Sequence, residues 1–182
     1  MDPSIKTEIW LYVKVLVITL FFSFILQHFF FQPYTVKGES MMPTLHEGNK
    51  IIIGKLSKPD RFDLVVIKAP FSDDYLVKRV IGLPGEEIEY KDDVLYINGK
   101  PKDEPHLREY RNNLLKQDQL TEDFSIEDVS LSNKIPKDHV LVLGDNRLVS
   151  RDGRHFGLTP TDAIVGEVHV TYWPINELKL VK

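Results

Sequence analysis

The chain has 182 residues, of which 42% are hydrophobic and 27% are charged, and its formal net charge at pH 7 is −4. This length suits one domain, with or without an inserted subdomain, and the composition is typical of a globular protein rather than a disordered one. The acidic balance argues against a basic nucleic-acid-binding surface, and the absence of cysteine excludes disulfides, zinc–thiolate sites and Cys-His catalysis.

An apolar segment near the N-terminus covers residues 9–31 and is interrupted by Lys14, Gln27 and His28. As a helix, its 23 residues extend for roughly 34 Å, which is enough to cross a bilayer core with some tilt. A cleavable signal peptide and a buried helix of a soluble protein are the alternatives, but no small-residue cleavage site follows the segment. The segment therefore predicts a retained transmembrane signal-anchor. Lys6 and Lys14 predict a cytoplasmic N-terminus, with the body of the chain on the other side.

Beyond residue 32, short segments rich in Val, Ile and Tyr alternate with turn residues, which predicts a mainly β fold. Asn98 and Gly99 between apolar residues predict a β-hairpin. After the anchor, no amphipathic helix longer than two turns is expected. Strands are predicted at residues 50–55, 64–68, 75–83, 140–143 and 164–172.

Charge separates one stretch of the body from the rest. Residues 86–128 carry 13 acidic and 6 basic residues, and residues 101–123 hold few β-branched residues. We interpret this stretch as a solvated insert that begins with a hairpin, and solubility is the simplest reason for its acidity. The predicted organisation is a tail and anchor at residues 1–31, a first part of a β core at 32–90, an inserted acidic subdomain at 91–135, and a second part of the core at 136–182.

A serine and a lysine are candidates for nucleophilic catalysis. Ser40 follows Gly38, which permits unusual backbone dihedrals, and precedes Pro43, which stiffens the turn. Lys78 lies in an apolar strand-like segment, where burial would favour the neutral amine that a general base requires. Lowering its pKa from about 10.4 to about 8 disfavours the ammonium form by roughly 3 kcal/mol. Strand alternation does not decide the matter, because a lysine on the wet face of a strand fits the same pattern.

A histidine base is the alternative to lysine. None of the six histidines has a sequence context that marks it as a base: His28, His46, His106, His139, His155 and His169.

A third polar segment follows the strand predicted at residues 140–143. It begins with Gly144, Asp145, Asn146 and Arg147, and Ser150, Asp152 and Arg154 follow at alternating positions. Small polar residues directly after a buried strand can hydrogen-bond a neutral lysine, and aspartate–arginine pairs can hold the loop. A polar surface turn is the alternative interpretation.

Together these segments resemble bacterial type I signal peptidases, the membrane-anchored serine proteases that remove signal peptides from exported proteins. The resemblance covers the anchor and residues 40–45, 64–66, 78–85 and 144–154, in the family's order. It implies the Ser-Lys protease fold of that family: an N-terminal transmembrane helix, a β-rich catalytic core and a smaller inserted β subdomain. The single anchor and compact insert are similar to those of the Gram-positive type.

The same resemblance implies a role for each site residue, and no cofactor or metal. Ser40 is the nucleophile, Lys78 is its general base, and Ser150 orients the lysine amine. The remaining residues with implied roles are the pairs Asp145 with Arg79 and Asp152 with Arg154, which brace the site, and Met41, which lines the substrate pocket. Gly38 stands where some relatives carry a serine that helps the oxyanion, and Gly153 where many carry a serine.

The expected function is cleavage of Ala-x-Ala signal peptides from exported preproteins, by a single-pass protein of the cell membrane. Its partners would be preproteins and the lipid bilayer, and not nucleic acid. Two other functions are considered: a Ser-Lys self-cleaving regulator, which would need a DNA-binding module or cleavable linker, and a non-catalytic anchored β domain in an export complex. A penicillin-binding type of site is disfavoured, because Pro43 occupies the position where that site requires lysine.

Overall fold

The computed structural model describes residues 3–54, 60–113 and 119–181. Helix α1 (Pro3–Phe30) begins with a proline in its first turn, where the missing amide costs nothing, and neither glycine nor proline interrupts it afterwards. Its window Glu8–Ile25 is long and apolar enough to cross a membrane, and none of that window is buried against the rest of the protein. The side chains of Lys6, Gln27 and His28, which entered the anchor prediction, lie outside the described part.

Eight strands form the main sheet, in which every pair is antiparallel. They are β1 (Phe31–Thr35), β2 (Lys50–Gly54), β3 (Leu64–Lys68), β4 (Tyr75–Gly82), β9 (His139–Leu143), β10 (Thr159–Pro160), β11 (Ile164–Trp173) and β12 (Lys179–Leu180). Their order is β1-β2-β11-β3-β4-β9-β10, with β12 paired to β11. The mainly β prediction is confirmed, and each predicted strand ends within one residue of the observed one. Strand β1 was missed, because Phe31 was assigned to the anchor and Pro33 argues against a strand.

A second, four-stranded antiparallel sheet is built from the acidic stretch. Its strands are β5 (Ile88–Lys91), β6 (Val94–Ile97), β7 (Lys100–Lys102) and β8 (Phe124–Ser125), in the order β7-β6-β5-β8. The predicted hairpin is confirmed between β6 and β7, where Asn98 (φ 50°) and Gly99 (φ 73°) form a two-residue turn that requires positive φ. The division of the chain into four parts stays a prediction.

The helices after α1 are short, as expected for the described residues. They are α2 (Arg108–Asn113), α3 (Ile126–Val129) and α4 (Gly153–Phe156), with 3-10 turns at Pro105–Leu107, Thr161–Ala163 and Ile175–Glu177.

The main sheet is covered on both faces near its centre. Leu64 and Val66 of β3 pack in one core cluster, whereas Val65 and Ile67 point to the other face and pack in another. A third cluster joins the two sheets: Ile81, Leu141 and Leu143 from the main sheet pack with Ile88, Tyr90 and Leu95 from the second, and with Ile126 and Ile135. The second sheet and the main sheet therefore share a core.

We expect Leu95→Ala to lower the free energy of unfolding by about 2–5 kcal/mol, because Leu95 is 1% exposed in the shared cluster. Val94→Ala on the same strand is the matched control, since Val94 is 38% exposed, and it should change stability by less than about 0.5 kcal/mol. Denaturant unfolding followed by circular dichroism should show one transition for both variants. A separate, earlier transition in Leu95→Ala would contradict a shared core.

Candidate active site

Ser40 and Lys78 meet although 38 residues separate them in sequence. Nζ of Lys78 lies 2.7 Å from Oγ of Ser40 and 3.2 Å from Oγ of Ser150, so one amine contacts two hydroxyls. Ser40 lies in a turn after β1, Lys78 on β4 and Ser150 in the loop after β9. In the described part of the chain, no histidine hydrogen-bonds to Ser40.

Lys78 is buried because both faces of β4 are covered. Lys78 pairs across the sheet with Val65, whose strand is buried on both faces at this point. Lys78 itself is 1% exposed. Strand alternation could not show whether Lys78 lies on a buried or an exposed face, and the packing of the sheet shows that it is buried. Burial lowers the pKa of Lys78 to about 8, with Asp152 and Asp145 opposing the shift and Arg154 adding to it. At that pKa an appreciable fraction of the amine is neutral at moderately alkaline pH.

The two expected aspartate–arginine pairs are present, and both aspartates lie close enough to Lys78 to act on its charge. Arg79 donates to both carboxylate oxygens of Asp145, at 2.8 and 2.6 Å, and Thr44 donates to the same carboxylate at 2.5 Å. Arg154 donates to both oxygens of Asp152, at 2.9 and 3.0 Å. Burial would raise the pKa of each aspartate, but its arginine outweighs that effect and holds the pKa below the usual range.

Gly144 allows the nucleophile segment and the loop after β9 to approach closely. A Cβ atom at Gly144 would lie 2.1 Å from Oγ of Ser150 and 2.5 Å from the carbonyl oxygen of Ser40, so no other residue fits without movement. The amide of Gly144 donates to Asp152 at 2.9 Å, and the amide of Asn146 donates to the Ser40 carbonyl at 3.0 Å. These bonds fix the distance between Ser40 and Ser150.

A groove of about 280 Å³ has Tyr75 and Val77 of β4, which precede Lys78, in its lining. Strand β4 pairs with β3 from Tyr75 to Arg79, but with β9 only from Arg79 onward, so before the lysine its second edge has no paired strand among the described residues. The groove is lined by Pro33, Tyr34, Thr35, Lys37, Val66, Asp73, Asp74, Tyr75 and Val77. An unpaired strand edge beside a groove can accept an extended peptide.

Met41 and Gly38 have different surroundings from each other. Met41 is 1% exposed and packs in the core cluster with Val36 and Leu45, so it lies beneath the site rather than on the wall of the groove. Its role in a substrate pocket stays a prediction.

Gly38 has φ +73°, in the region that favours glycine, and no atom lies within 4 Å of a Cβ placed there. No metal-binding group of His, Asp or Glu is found among the described residues.

Sequence reasoning missed a buried acid and a buried histidine next to the site. Glu104 accepts hydrogen bonds from Arg147 and Tyr90. His106 lies 3.8 Å from both Glu104 and Asp145, too far for a hydrogen bond, and burial lowers its pKa to about 4, so it is neutral and forms no ion pair. Arg147 was visible within the motif after β9, whereas nothing in the sequence distinguishes Glu104 from the other acids of the stretch.

The chain matches known proteins along most of its length. The profile of the family described as "Signal peptidase, peptidase S26" matches residues 9–173. "Signal peptidase I" of Bacillus caldolyticus is 50% identical over 84% of this chain and 85% of its own length. "Signal peptidase IB" of Staphylococcus aureus strain COL is 44% identical over 96% of this chain and 94% of its own. A crystal structure of a signal peptidase I from Enterococcus faecalis V583 superposes with a TM-score of 0.59 and 40% identity, covering 61% of this chain and 97% of that one.

We expect Gly144→Ala to abolish most of the hydrolytic activity of the folded protein, because the new methyl group would push Ser150 and the Ser40 carbonyl apart. Gly82→Ala is the matched control: its Cβ would lie 2.4 Å from Ile135 and 2.9 Å from Ile88, away from Ser40 and Ser150. It should destabilise the protein by about 1–3 kcal/mol but retain activity per folded molecule. Equal specific activities of the two variants, normalised to folded protein by circular dichroism, would contradict the steric argument.

Proposed function

The chain belongs to the signal peptidase family, peptidase S26, and is a serine endopeptidase that removes signal peptides, and we propose that it does so with a Ser40–Lys78 dyad. In this proposal the enzyme is anchored in the membrane and cleaves preproteins with Ala-x-Ala before the cleavage site. The observation that supports the dyad most directly is the 2.7 Å contact between Oγ of Ser40 and a lysine amine whose side chain is 1% exposed. No described feature favours the self-cleaving regulator. Membership of an endopeptidase family disfavours the other alternative, a non-catalytic anchored β domain in an export complex.

In the proposed mechanism, the neutral amine of Lys78 takes the proton of the Ser40 hydroxyl as Oγ attacks the scissile carbonyl carbon. Ser150 holds the amine in line through its 3.2 Å contact. The resulting ammonium gives its proton to the leaving amine, and an acyl-enzyme forms. Lys78, neutral again, then activates the water that releases the signal peptide from Ser40.

The amide N–H of Ser40 is the proposed donor to the oxyanion. Among the described residues it makes no hydrogen bond, so it is available. The Glu39 carbonyl in the same planar peptide group accepts from the Asn146 side chain and the Met42 amide, which fixes the orientation of the Ser40 amide. A donor already in place costs no reorganisation when charge develops on the substrate oxygen. Gly38 has no hydroxyl, so it cannot supply a second side-chain donor.

The substrate is proposed to bind as an added β-strand along the free edge of β4. The groove is lined by residues from Tyr34 to Val77, and Val77 directly precedes Lys78. A substrate strand bound there would bring its scissile carbonyl close to Ser40. Main-chain hydrogen bonds would supply the affinity, and alternate side chains would enter the groove. Val66 and Val77 on the wall suit small apolar side chains such as alanine.

The anchor is proposed to bring enzyme and substrate to the same surface. Helix α1 ends at Phe30, β1 begins at Phe31, and Pro33 and Tyr34 already line the groove. A preprotein whose apolar region lies in the same bilayer would reach the groove at a raised effective concentration. The proposed orientation has the N-terminus in the cytoplasm and the catalytic body outside.

We expect Ser40→Ala and Lys78→Ala to abolish cleavage of an Ala-x-Ala preprotein in detergent micelles. Loss of the base should cost at least about 10²–10⁴-fold in kcat, and loss of the nucleophile on the order of 10⁶-fold. Ser132→Ala and Lys91→Ala are matched controls, because both residues are exposed and lie outside the groove lining, and they should cleave like the wild type. Cleavage that survives Ser40→Ala would exclude the proposed mechanism.

A second expected result is that kcat/KM increases with pH and reaches half its maximum near pH 8. The base is active only when neutral, so below the pKa of about 8 the rate should fall tenfold for each pH unit. The measurement is kcat/KM from pH 6 to 10, with circular dichroism at each pH to verify folding. A flat profile between pH 6 and 9 would argue against Lys78 as the base.

A further inference from the structure

Glu104 is an acid of the described part of the acidic stretch that solubility does not explain. Glu104, in the loop after β7, is 0% exposed, whereas its neighbours Asp103 and Glu109 are exposed. A buried carboxylate is costly unless charged or hydrogen-bonded groups compensate it. The surroundings of Glu104 therefore indicate what it does.

Three donors surround the Glu104 carboxylate. One oxygen accepts from Arg147 at 2.6 Å and from the hydroxyl of Tyr90 at 2.7 Å, and the other accepts from Arg111 at 2.9 Å. Burial would raise the pKa of Glu104, but the charge and hydrogen bond of Arg147 outweigh it and keep the pKa below the usual range. Glu104 is thus an anion at neutral pH and the carboxylate partner of Arg147.

Arg147 carries this contact into the loop that holds Ser150. Its Nε donates to the Gly144 carbonyl at 3.0 Å, and its own carbonyl accepts from Arg154 at 2.8 Å. Thr121 accepts from the same guanidinium at 3.0 Å, so Arg147 is held from the second sheet's side by Thr121, Tyr90 and Glu104. Gly144 is the residue whose lack of a side chain sets the spacing of Ser40 and Ser150.

A second contact reaches the nucleophile segment itself. The hydroxyl of Tyr110, on α2, donates to the side-chain oxygen of Asn146 at 2.9 Å. The side-chain amide of Asn146 then donates to the Glu39 carbonyl at 3.1 Å, and its backbone amide donates to the Ser40 carbonyl at 3.0 Å. Tyr110 therefore orients a residue that holds the backbone on either side of the nucleophile.

We propose that Glu104 and Tyr110 are positioning residues for signal peptide cleavage: Glu104 through Arg147 and Tyr110 through Asn146 hold the loop after β9 so that Ser150 and Ser40 keep their contacts with Lys78. The inference rests on the proposed function of Ser40 and Lys78. It gives the inserted sheet a task beyond solubility, because the two contacts come from the segment between β7 and β8.

The test compares Glu104→Gln and Tyr110→Phe with Glu109→Gln in the full-length protein, on the same preprotein. Gln keeps the shape of Glu104 but loses its charge and presents an amide to Arg111, so Arg147 loses its counter-charge. Tyr110→Phe removes one hydroxyl and is the variant that keeps the test valid if Glu104→Gln does not fold. Glu109 is exposed on the same helix as Tyr110 and serves as the matched control.

We expect kcat/KM to fall on the order of 10²-fold in Glu104→Gln and about three- to tenfold in Tyr110→Phe, with Glu109→Gln unchanged. A loosened loop also admits water to the Lys78 amine, whose pKa then rises, so the acid limb of the pH profile should move to higher pH. Asp145, Asp152 and Arg154, the charged groups that act on this amine, are retained in both variants. A structural role alone would lower activity equally at every pH, in proportion to the folded fraction.

This inference would be overturned if the acid limb were unshifted in both variants and activity fell only in proportion to the unfolded fraction in thermal melts. The proposed function would still stand in that case, provided that cleavage by the wild type depended on Ser40. Cleavage that did not depend on Ser40 would overturn both.

Discussion

The contact between the Lys78 amine and the hydroxyls of Ser40 and Ser150 constrains both the sheet and the loops around it. It joins three segments that lie far apart in sequence. The strand order β1-β2-β11-β3-β4-β9 and the bond from the Asn146 amide to the Ser40 carbonyl place them together. The amine must also be kept from water, and the main sheet provides this because β3 and β4 are packed on both faces. Sheet topology and the covering of both faces are thus requirements of the chemistry as well as of folding.

A buried lysine destabilises the fold that contains it. Its pKa in the folded protein, about 8, lies below the ordinary value of 10.5, so the folded state disfavours the proton by roughly 3 kcal/mol. This destabilisation is fully present below pH 8 and is relieved as the pH rises toward 10.5. Each aspartate near the lysine already has an arginine as its ion-pair partner: Arg79 pairs with Asp145, and Arg154 pairs with Asp152. Neither carboxylate is therefore left to form an ion pair with the lysine.

The acidic stretch combines two kinds of acid that composition cannot separate. Exposed residues such as Asp103 and Glu109 face solvent and suit the solubility interpretation. Glu104 instead lies in a buried cluster with Arg147 and Tyr90, at the junction of the second sheet with the loop after β9. The apolar cluster shared by the two sheets supports the same junction, so packing and charge act together there.

The amino-acid sequence was enough to predict the local elements: an apolar helix, five strands that match observed ones, and the Asn98-Gly99 turn. It also contained the motifs around Ser40, Lys78 and Ser150. Local propensity is sufficient for the helix, the strands and the turn, since each depends on neighbours in the chain. The roles of Ser40, Lys78 and Ser150 were instead implied by the resemblance to a known family. The folded structure was needed to show that Lys78 is buried, that Met41 lies in the core and that Glu104 is a buried partner of Arg147. Burial and pairing depend on which segments cover a side chain, and the covering segments come from distant parts of the chain, so no local pattern records them.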